Sequence, residues 1–174
     1  MKVGGRRIID HIESVFRVFF DDILIVTNQP ADYLEFDATI VTDIFATRSS
    51  LSGIHAGLFY AANPFVFVTA CDTPFLQEAL VRSVISRIEA SDGVVIPETG
   101  AGMEPLCAVY AKRCLPVIEH QIKSEKFKIQ RFFKSIRVHK LAEEFLRQAD
   151  PDLRSFFNIN TFEDLARAEA WAKQ

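Results

Sequence analysis

The run Phe65-Val66-Phe67-Val68-Thr69-Ala70-Cys71 is apolar until it meets Asp72, and Thr73-Pro74 follow at once. A short run rich in β-branched and aromatic residues reads as a buried strand, here one that carries a carboxylate to its C-terminal end. In open α/β sheets the ligand crevice lies outside that end. One acid so placed suits a hard divalent cation, because Mg²⁺ takes one or two carboxylates and shares its remaining positions with substrate phosphates and water. The plainer reading of Asp72 is a turn acid that caps the next helix. Two other strand-like runs end on polar side chains: Ile23–Thr27 stops at Asn28, and Ala38–Thr42 stops at Asp43. Asn158 and Asn160 flank Ile159, and in extended chain that spacing puts both amides on one side. Glu104 opens the run Glu104–Tyr110 after a glycine-containing loop, Glu98–Gly102. It reads equally as a substrate contact or as a solvated edge carboxylate.

The elements that position these residues follow from periodicity. Ile8, Ile9, Ile12, Val15, Phe16 and Phe19 recur at three- and four-residue steps, which predicts an amphipathic helix over Arg6–Phe20. The polar loop Thr47-Arg48-Ser49-Ser50 leads into a helix over Leu51–Ala62. Gly53 and Gly57 share one side of it and leave room for a strand or a ligand to come close. A helix over Phe75–Ala90, a turn at Ser91-Asp92-Gly93, a strand over Val94–Pro97 and a helix over Leu115–Ile122 come next. Ser135–Leu141 reads as one more strand. Thr161, with Asp164 three residues on, marks the start of a last helix reaching Ala172. Strands alternating with helices predict a parallel or mixed sheet covered by helices on its faces. The oddity is that the chain opens almost directly with a helix rather than a strand.

At 174 residues a single domain, 1–174, with a full core is expected. Net charge is −3, which leaves no basic field for nucleic acid, so a phosphate-bearing ligand needs local cations or a metal. No apolar stretch approaches a membrane span and the N-terminus lacks a signal peptide's apolar core. Cys71, Cys107 and Cys114 form no C-x-x-C pair, and Cys71 and Cys107 fall in strand-like runs. They are read as buried thiols of a reducing, cytoplasmic compartment. His11, His55, His120 and His139 lack zinc-type spacing. The 16 phenylalanines are read as core material. Arg131 and Lys134 are read as a helix's solvated face rather than as phosphate ligands.

Four segments, in this order, resemble the molybdenum cofactor guanylyltransferase family, a branch of the nucleotidyltransferases. Val3-Gly4-Gly5-Arg6-Arg7-Ile8-Ile9 is similar to the family's turn into its first long helix. Leu51-Ser52-Gly53-Ile54, with Gly57-Leu58, is similar to its G-P-L-x-G-(I/M) segment. Cys71-Asp72-Thr73-Pro74-Phe75-Leu76 is similar to its C-D-(T/M)-P-(F/Y) element. Glu104–Tyr110 and Phe157–Leu165 resemble its E-P-L-x-A-x-Y and N-x-N-T-x-E-(D/E)-L. The resemblance implies a three-layer Rossmann-like sandwich on a mostly parallel sheet, and GMP transfer from GTP to molybdopterin-type cofactor with loss of pyrophosphate. It implies Mg²⁺ on Asp72, nucleotide contacts from Asn28, Asp43 and Gly53, catalytic positions at Asn158 and Asn160 beside Asp72, and a substrate contact from Glu104. It also leaves room for a molybdoenzyme or its chaperone as partner, and implies neither nucleic acid nor membrane.

Two departures from the pattern matter. Ser49-Ser50 stands where the family tends to have Gly-Pro. More consequentially, the family's opening strand and its glycine-rich phosphate loop have no counterpart in this sequence. The expectation is therefore an N-terminally truncated domain that lacks its first sheet strand. Other nucleotidyl transfers (to CTP-derived or sugar-phosphate products) and a non-catalytic binding module remain the alternatives.

Overall fold

The computed structural model describes residues 1–173. The chain starts with a small hairpin, β1 (Lys2–Val3) paired antiparallel to β2 (Arg6–Arg7). Gly4 and Gly5 make its two-residue turn at φ +59° and +81°, a backbone that glycine adopts without penalty. Helix α1 (Ile8–Phe16) follows directly, and the Asp10 carboxylate closes its first turn onto the backbone N–H of Arg7 at 3.1 Å. The helix is therefore shorter than its apolar periodicity predicts: the hairpin consumes Arg6 and Arg7, and Val18 and Phe19 continue as turns.

Next come β3 (Leu24–Val26), β4 (Thr39–Val41), α2 (Ser50–Tyr60), β5 (Phe65–Thr69) and α3 (Glu78–Ile85). They are followed by β6 (Val94–Thr99), β7 (Gly102–Met103), β8 (Cys107–Ala111) and α4 (Leu115–Lys123). The chain finishes with β9 (Val138–Ala142), α5 (Glu143–Leu146) and α6 (Phe162–Trp171). The last helix has the expected cap: Thr161 Oγ1 accepts from Asp164 N, and the Asp164 carboxylate accepts from Thr161 N, both at 3.1 Å. Two expectations shift. The Glu98–Gly102 loop is a tight hairpin, in which Glu98 pairs with Met103 and Thr99 with Gly102. The strand expected to start at Glu104 starts at Cys107, because Glu104-Pro105-Leu106 turns the chain: Cys107 N donates to Glu104 O at 3.1 Å.

The sheet is mixed. β8 lies antiparallel between β5 and β6, and β9 runs parallel to β6. β3 and β4 form a separate parallel pair. Helix α2 carries the chain from the far end of β4 back to the start of β5, where Ala62 N meets the Asp22 carboxylate that precedes β3. β3, β4, β5, β6 and β9 thus share one direction, as expected of a mostly parallel sheet, and β7 and β8 oppose it.

Apolar clusters on both sides of the sheet make a three-layer sandwich. Alternate residues of β8 serve the two: Cys107 and Val109 join Ile8, Ile12, Leu80, Val84 and Ala168, whereas Ala108 and Tyr110 join Leu51, Ile54, Leu58 and Ile118. Buried Tyr110 satisfies its hydroxyl by donating to Pro105 O at 2.7 Å. Among the described residues, no helix is long and apolar enough to cross a membrane.

Among the described residues, β3 pairs only with β4, and β5 only with β8. Their other edges face one another across a cleft of about 830 Å³. Helix α1 lines it from one face of the sheet with Ile12 and Phe16, and α2 from the other with Gly53, Ile54 and Gly57. Two strand edges, unpaired among the described residues, thus flank an apolar slot.

Candidate active site

Asp72 lies three residues past the end of β5, where the strand edge gives way to a turn. Thr73 holds that turn. Its buried hydroxyl donates to Ala70 O at 2.8 Å and lies 3.3 Å from Thr69 Oγ1. The Asp72 carboxylate lines the cleft between β3 and β5, and its Oδ1 is buried without a hydrogen-bond partner. It does not cap the next helix, which starts six residues later at Glu78 behind Gln77. A buried carboxylate oxygen with no donor is costly unless something else satisfies it. A cation at the cleft would do so.

The C-terminal segment is stitched to the same turn. Ile159 N donates to Asp72 O at 3.0 Å, and the Ile159 side chain is buried in the core. Asn158 and Asn160 therefore face outward on the same side beside Asp72, as their spacing predicts. Asp150 fixes the approach to this segment. It is fully buried, and its carboxylate accepts from Ser155 N at 2.8 Å, Arg154 N at 3.2 Å and Gln77 Nε2 at 2.9 Å. Asp150 escaped the sequence reading. A lone acid in a polar loop carries no local signal that it is buried, and one of its three partners, Gln77, lies 73 residues away.

Asn28 and Asp43 meet at the C-terminal ends of β3 and β4, where Asn28 Nδ2 donates to Asp43 Oδ2 at 2.9 Å. Because β3 and β5 run parallel, this pair and Asp72 occupy the same end of the sheet, on opposite sides of the slot. Gly53 lies in the cleft wall on α2, and a Cβ added there would meet nothing within 4 Å. The helix begins behind Ser49, whose hydroxyl accepts from Ser52 N at 3.1 Å. Serine thus does at this turn what a cap must do. The α2 N-terminus reaches the cleft through Ser50, which favours negative charge there.

Glu104 is not brought to Asp72. It lines a second cleft with Thr99, Gly100, Glu143, Arg147 and Trp171. It is partly buried and accepts from Thr99 Oγ1 at 3.2 Å, and burial raises its carboxyl pKa above the ordinary value, with Thr99 pulling the other way. A carboxyl with a raised folded pKa contributes stability that is present below its unfolded pKa and lost as pH climbs through the folded one. Glu104→Gln is therefore expected to raise the thermal midpoint at pH 7, with the gain vanishing as pH falls towards about 4. A gain that is the same at both pH values would mean that ionisation of Glu104 is not its source.

Cys71 corrects the reading of buried thiols: it is exposed, in the turn past the strand's end, whereas Cys107 and Cys114 are buried. Burial pushes the Cys114 thiol up to about 11 and Cys107 higher still, so both are inert at neutral pH. Arg131 and Lys134 are exposed on the 129–135 stretch. His55 is fully buried, with its ring edge-on to Phe45 at 4.9 Å.

Among the described residues, no three His, Cys, Asp or Glu side chains cluster as a metal site. Asp72 is then a single protein carboxylate at an open crevice, a donor set that fits a Mg²⁺ ion sharing its shell with phosphate oxygens and does not fit a structural metal.

Comparison with known proteins identifies the family. Residues 1–142 match the family model described as the MobA-like NTP transferase domain. A protein of Desulfosudis oleivorans named molybdenum cofactor guanylyltransferase is 47% identical over 171 residues, covering 98% of this chain and 85% of that one. A probable molybdenum cofactor guanylyltransferase of Natranaerobius thermophilus is 36% identical, covering 98% and 86%. The crystal structure of molybdopterin-guanine dinucleotide biosynthesis protein A from Archaeoglobus fulgidus superposes with a TM-score of 0.87 at 28% identity, over 99% of this chain and 89% of that one. A cytidylyltransferase from Thermus thermophilus, at 17% identity and a TM-score of 0.74, shares the fold. With its family model spanning most of its length and relatives aligned almost end to end, this chain belongs to the MobA-like NTP transferase family.

Proposed function

We propose that the protein is a molybdenum cofactor guanylyltransferase, which transfers GMP from GTP to the phosphate of a molybdopterin-type cofactor and releases pyrophosphate. The observation that carries this reading is Asp72: a strand-end carboxylate with an unpartnered oxygen, in a chain 47% identical to a protein of that name. In the reaction, an acceptor phosphate oxygen forms a bond to the α-phosphorus of GTP while the bond to the bridging oxygen of the β-phosphate breaks. The acceptor is already anionic, so no protein base is needed, and positioning with charge neutralisation supplies the catalysis. Mg²⁺ would supply Lewis-acid neutralisation of the charge on the reacting phosphates. The Asp72 carboxylate, with its unpartnered oxygen, would hold it. The amides of Asn158 and Asn160, kept beside Asp72 by the bond from Ile159 N to Asp72 O, orient the acceptor phosphate. Asn28 and Asp43 hold the nucleoside from the other side, and Gly53, lacking a side chain, lets the nucleotide lie against α2.

The test is pyrophosphate release with GTP, Mg²⁺ and molybdopterin supplied together, repeated with CTP and UTP. Release that requires GTP and the pterin supports the reading. Release with CTP instead of GTP replaces it with a cytidylyltransferase. If no nucleotide turns over while the protein stays folded, the chain is a binding module.

A further inference from the structure

We propose that the cleft around Glu104 is a second subsite, which seats the ring of the acceptor, and that Glu104 reads the 2-amino-4-oxo edge of that ring. That the ring is a pterin rests on the guanylyl-transfer reading; the chemistry of the edge does not. The cleft, of about 510 Å³, opens where β6 ends. Because β6 shares its direction with β5, it lies at the same end of the sheet as Asp72. Two short stretches join the two clefts. Leu106 lines the slot beside Asp72 while Glu104, two residues earlier, lines the second cleft, and Phe157 lines the second cleft directly before Asn158. An occupant of the second cleft is therefore a neighbour of the asparagines assigned to the acceptor phosphate.

The charges of the cleft select the occupant. Three guanidinium groups line it, and each already has an acid: Arg147 pairs with Glu143 at 2.8 Å, Arg154 with Asp152 at 3.3 Å and Arg167 with Asp164 at 3.4 Å. Glu143 is further engaged by Gly100 N, which donates to its Oε2 at 2.6 Å. Glu104 stands apart. Among the described residues it pairs with no cation, its one hydrogen bond comes from Thr99 to Oε1, and nothing donates to Oε2. Burial disfavours its ionised form, and N–H donors would offset that cost. A cationic donor is disfavoured by the three guanidinium groups around it. A neutral ligand with two adjacent N–H groups meets both demands, and the H₂N–C–N–H edge of a 2-amino-4-oxopyrimidine has them. The walls suit a flat ring. The Arg154 guanidinium lies 4.9 Å from the centre of the Trp171 ring, and that of Arg167 lies 4.3 Å from the centre of Phe157, which sets planar cations and aromatic rings where a heterocycle can stack. Guanine carries the same edge as a pterin. The pterin is favoured because this cleft adjoins Asn158, whereas the Asn28–Asp43 pair assigned to the nucleoside lies across the slot.

The probes are pterin itself, lumazine (the 2,4-dioxo analogue, which presents a carbonyl where pterin has its amino group) and guanosine. Trp171, the only tryptophan in the sequence, lines the cleft, so quenching of its fluorescence reads occupancy. Saturable quenching by pterin is expected, with lumazine at least about tenfold weaker, because a site that hydrogen-bonds an amino group rejects the analogue that lacks it. Guanosine is expected to bind this cleft more weakly than pterin. Glu104→Gln, expected above to fold at least as stably as wild type at pH 7, should weaken pterin about tenfold and narrow its advantage over lumazine, since an amide cannot accept two N–H groups as a carboxylate does. Equal quenching by pterin and lumazine overturns the proposal, as does pterin binding that Glu104→Gln leaves unchanged, or the absence of quenching by pterin. Guanosine binding as tightly as pterin takes the cleft from the acceptor and overturns it too. The pterin–lumazine comparison on the wild-type chain decides the matter even if the variant fails to fold. No nucleoside triphosphate is present, so a protein that binds pterin but turns over no GTP fails the guanylyl-transfer reading alone, and one that turns over GTP while binding pterin and lumazine alike fails this proposal alone.

Discussion

Asp72→Ala is expected to lower GTP-dependent pyrophosphate release by about a thousandfold or more and to leave the thermal midpoint almost unchanged. The expected size comes from the chemistry. Charge neutralisation on a transferring phosphoryl group contributes several kcal/mol, and about 4 kcal/mol is a factor of a thousand. The expected insensitivity of the fold comes from the geometry. The carboxylate makes no hydrogen bond through Oδ1, and the link between the turn and the C-terminal segment runs through the backbone oxygen of Asp72, which alanine keeps. Removing an unpartnered buried oxygen costs the folded state little or stabilises it slightly. Asp72→Asn separates charge from shape: it retains an oxygen near the crevice but not the anion, and is expected to be nearly as inactive. Mg²⁺ titrations of pyrophosphate release by both variants are the check. Wild-type turnover in Asp72→Ala would remove Asp72 from the metal site, and a collapse of the midpoint would reassign it to the turn.

Asp150→Ala is expected to destabilise the fold by about 3 kcal/mol. The carboxylate is fully buried and accepts from two backbone N–H groups and one side-chain amide. Truncation leaves three donors to find water or remain unsatisfied, at about 1–3 kcal/mol each before relaxation. For a domain of this size 3 kcal/mol corresponds to roughly 6–12 °C in the thermal midpoint. Because Ser155 and Arg154 lead directly to Asn158, loss of their anchor is also expected to reduce kcat at temperatures where the variant is folded. Asp150→Asn keeps one acceptor oxygen and is expected to fall between wild type and alanine. Denaturant melts with activity measured in parallel separate the two effects; a midpoint shift under about 1 °C would show that water replaces the carboxylate without cost.

The placement of the proposed site residues was legible in the sequence because its signals are local. Alternation of apolar runs with polar stops marks the ends of β3, β4 and β5, and therefore Asn28, Asp43 and Asp72, within stretches of about eight residues. The Thr161–Asp164 pair announces a helix start by the same short-range hydrogen bonds that the structure contains. Asn158-Ile159-Asn160 reveals its outward face through a two-residue period. Elsewhere the local signal was right in kind and wrong in extent. The apolar periodicity beginning at Arg6 belongs to a helix that starts at Ile8, because Gly4 and Gly5 can turn a hairpin that claims Arg6 and Arg7.

The sequence alone determined an α/β chain whose strands end in acids and amides at one end of the sheet. Only the tertiary structure decided that β8 threads antiparallel between β5 and β6, and that Ile159 ties the asparagines to Asp72. It also decided that Glu104 opens onto a different cleft, that Cys71 faces solvent, and that two unpaired edges enclose a slot. The division has one physical cause. Periodicity, turns and caps are governed by hydrogen bonds and burial among near neighbours, whereas strand order, cavity walls and the burial of a lone acid such as Asp150 depend on contacts between segments tens of residues apart, which no short stretch of sequence encodes.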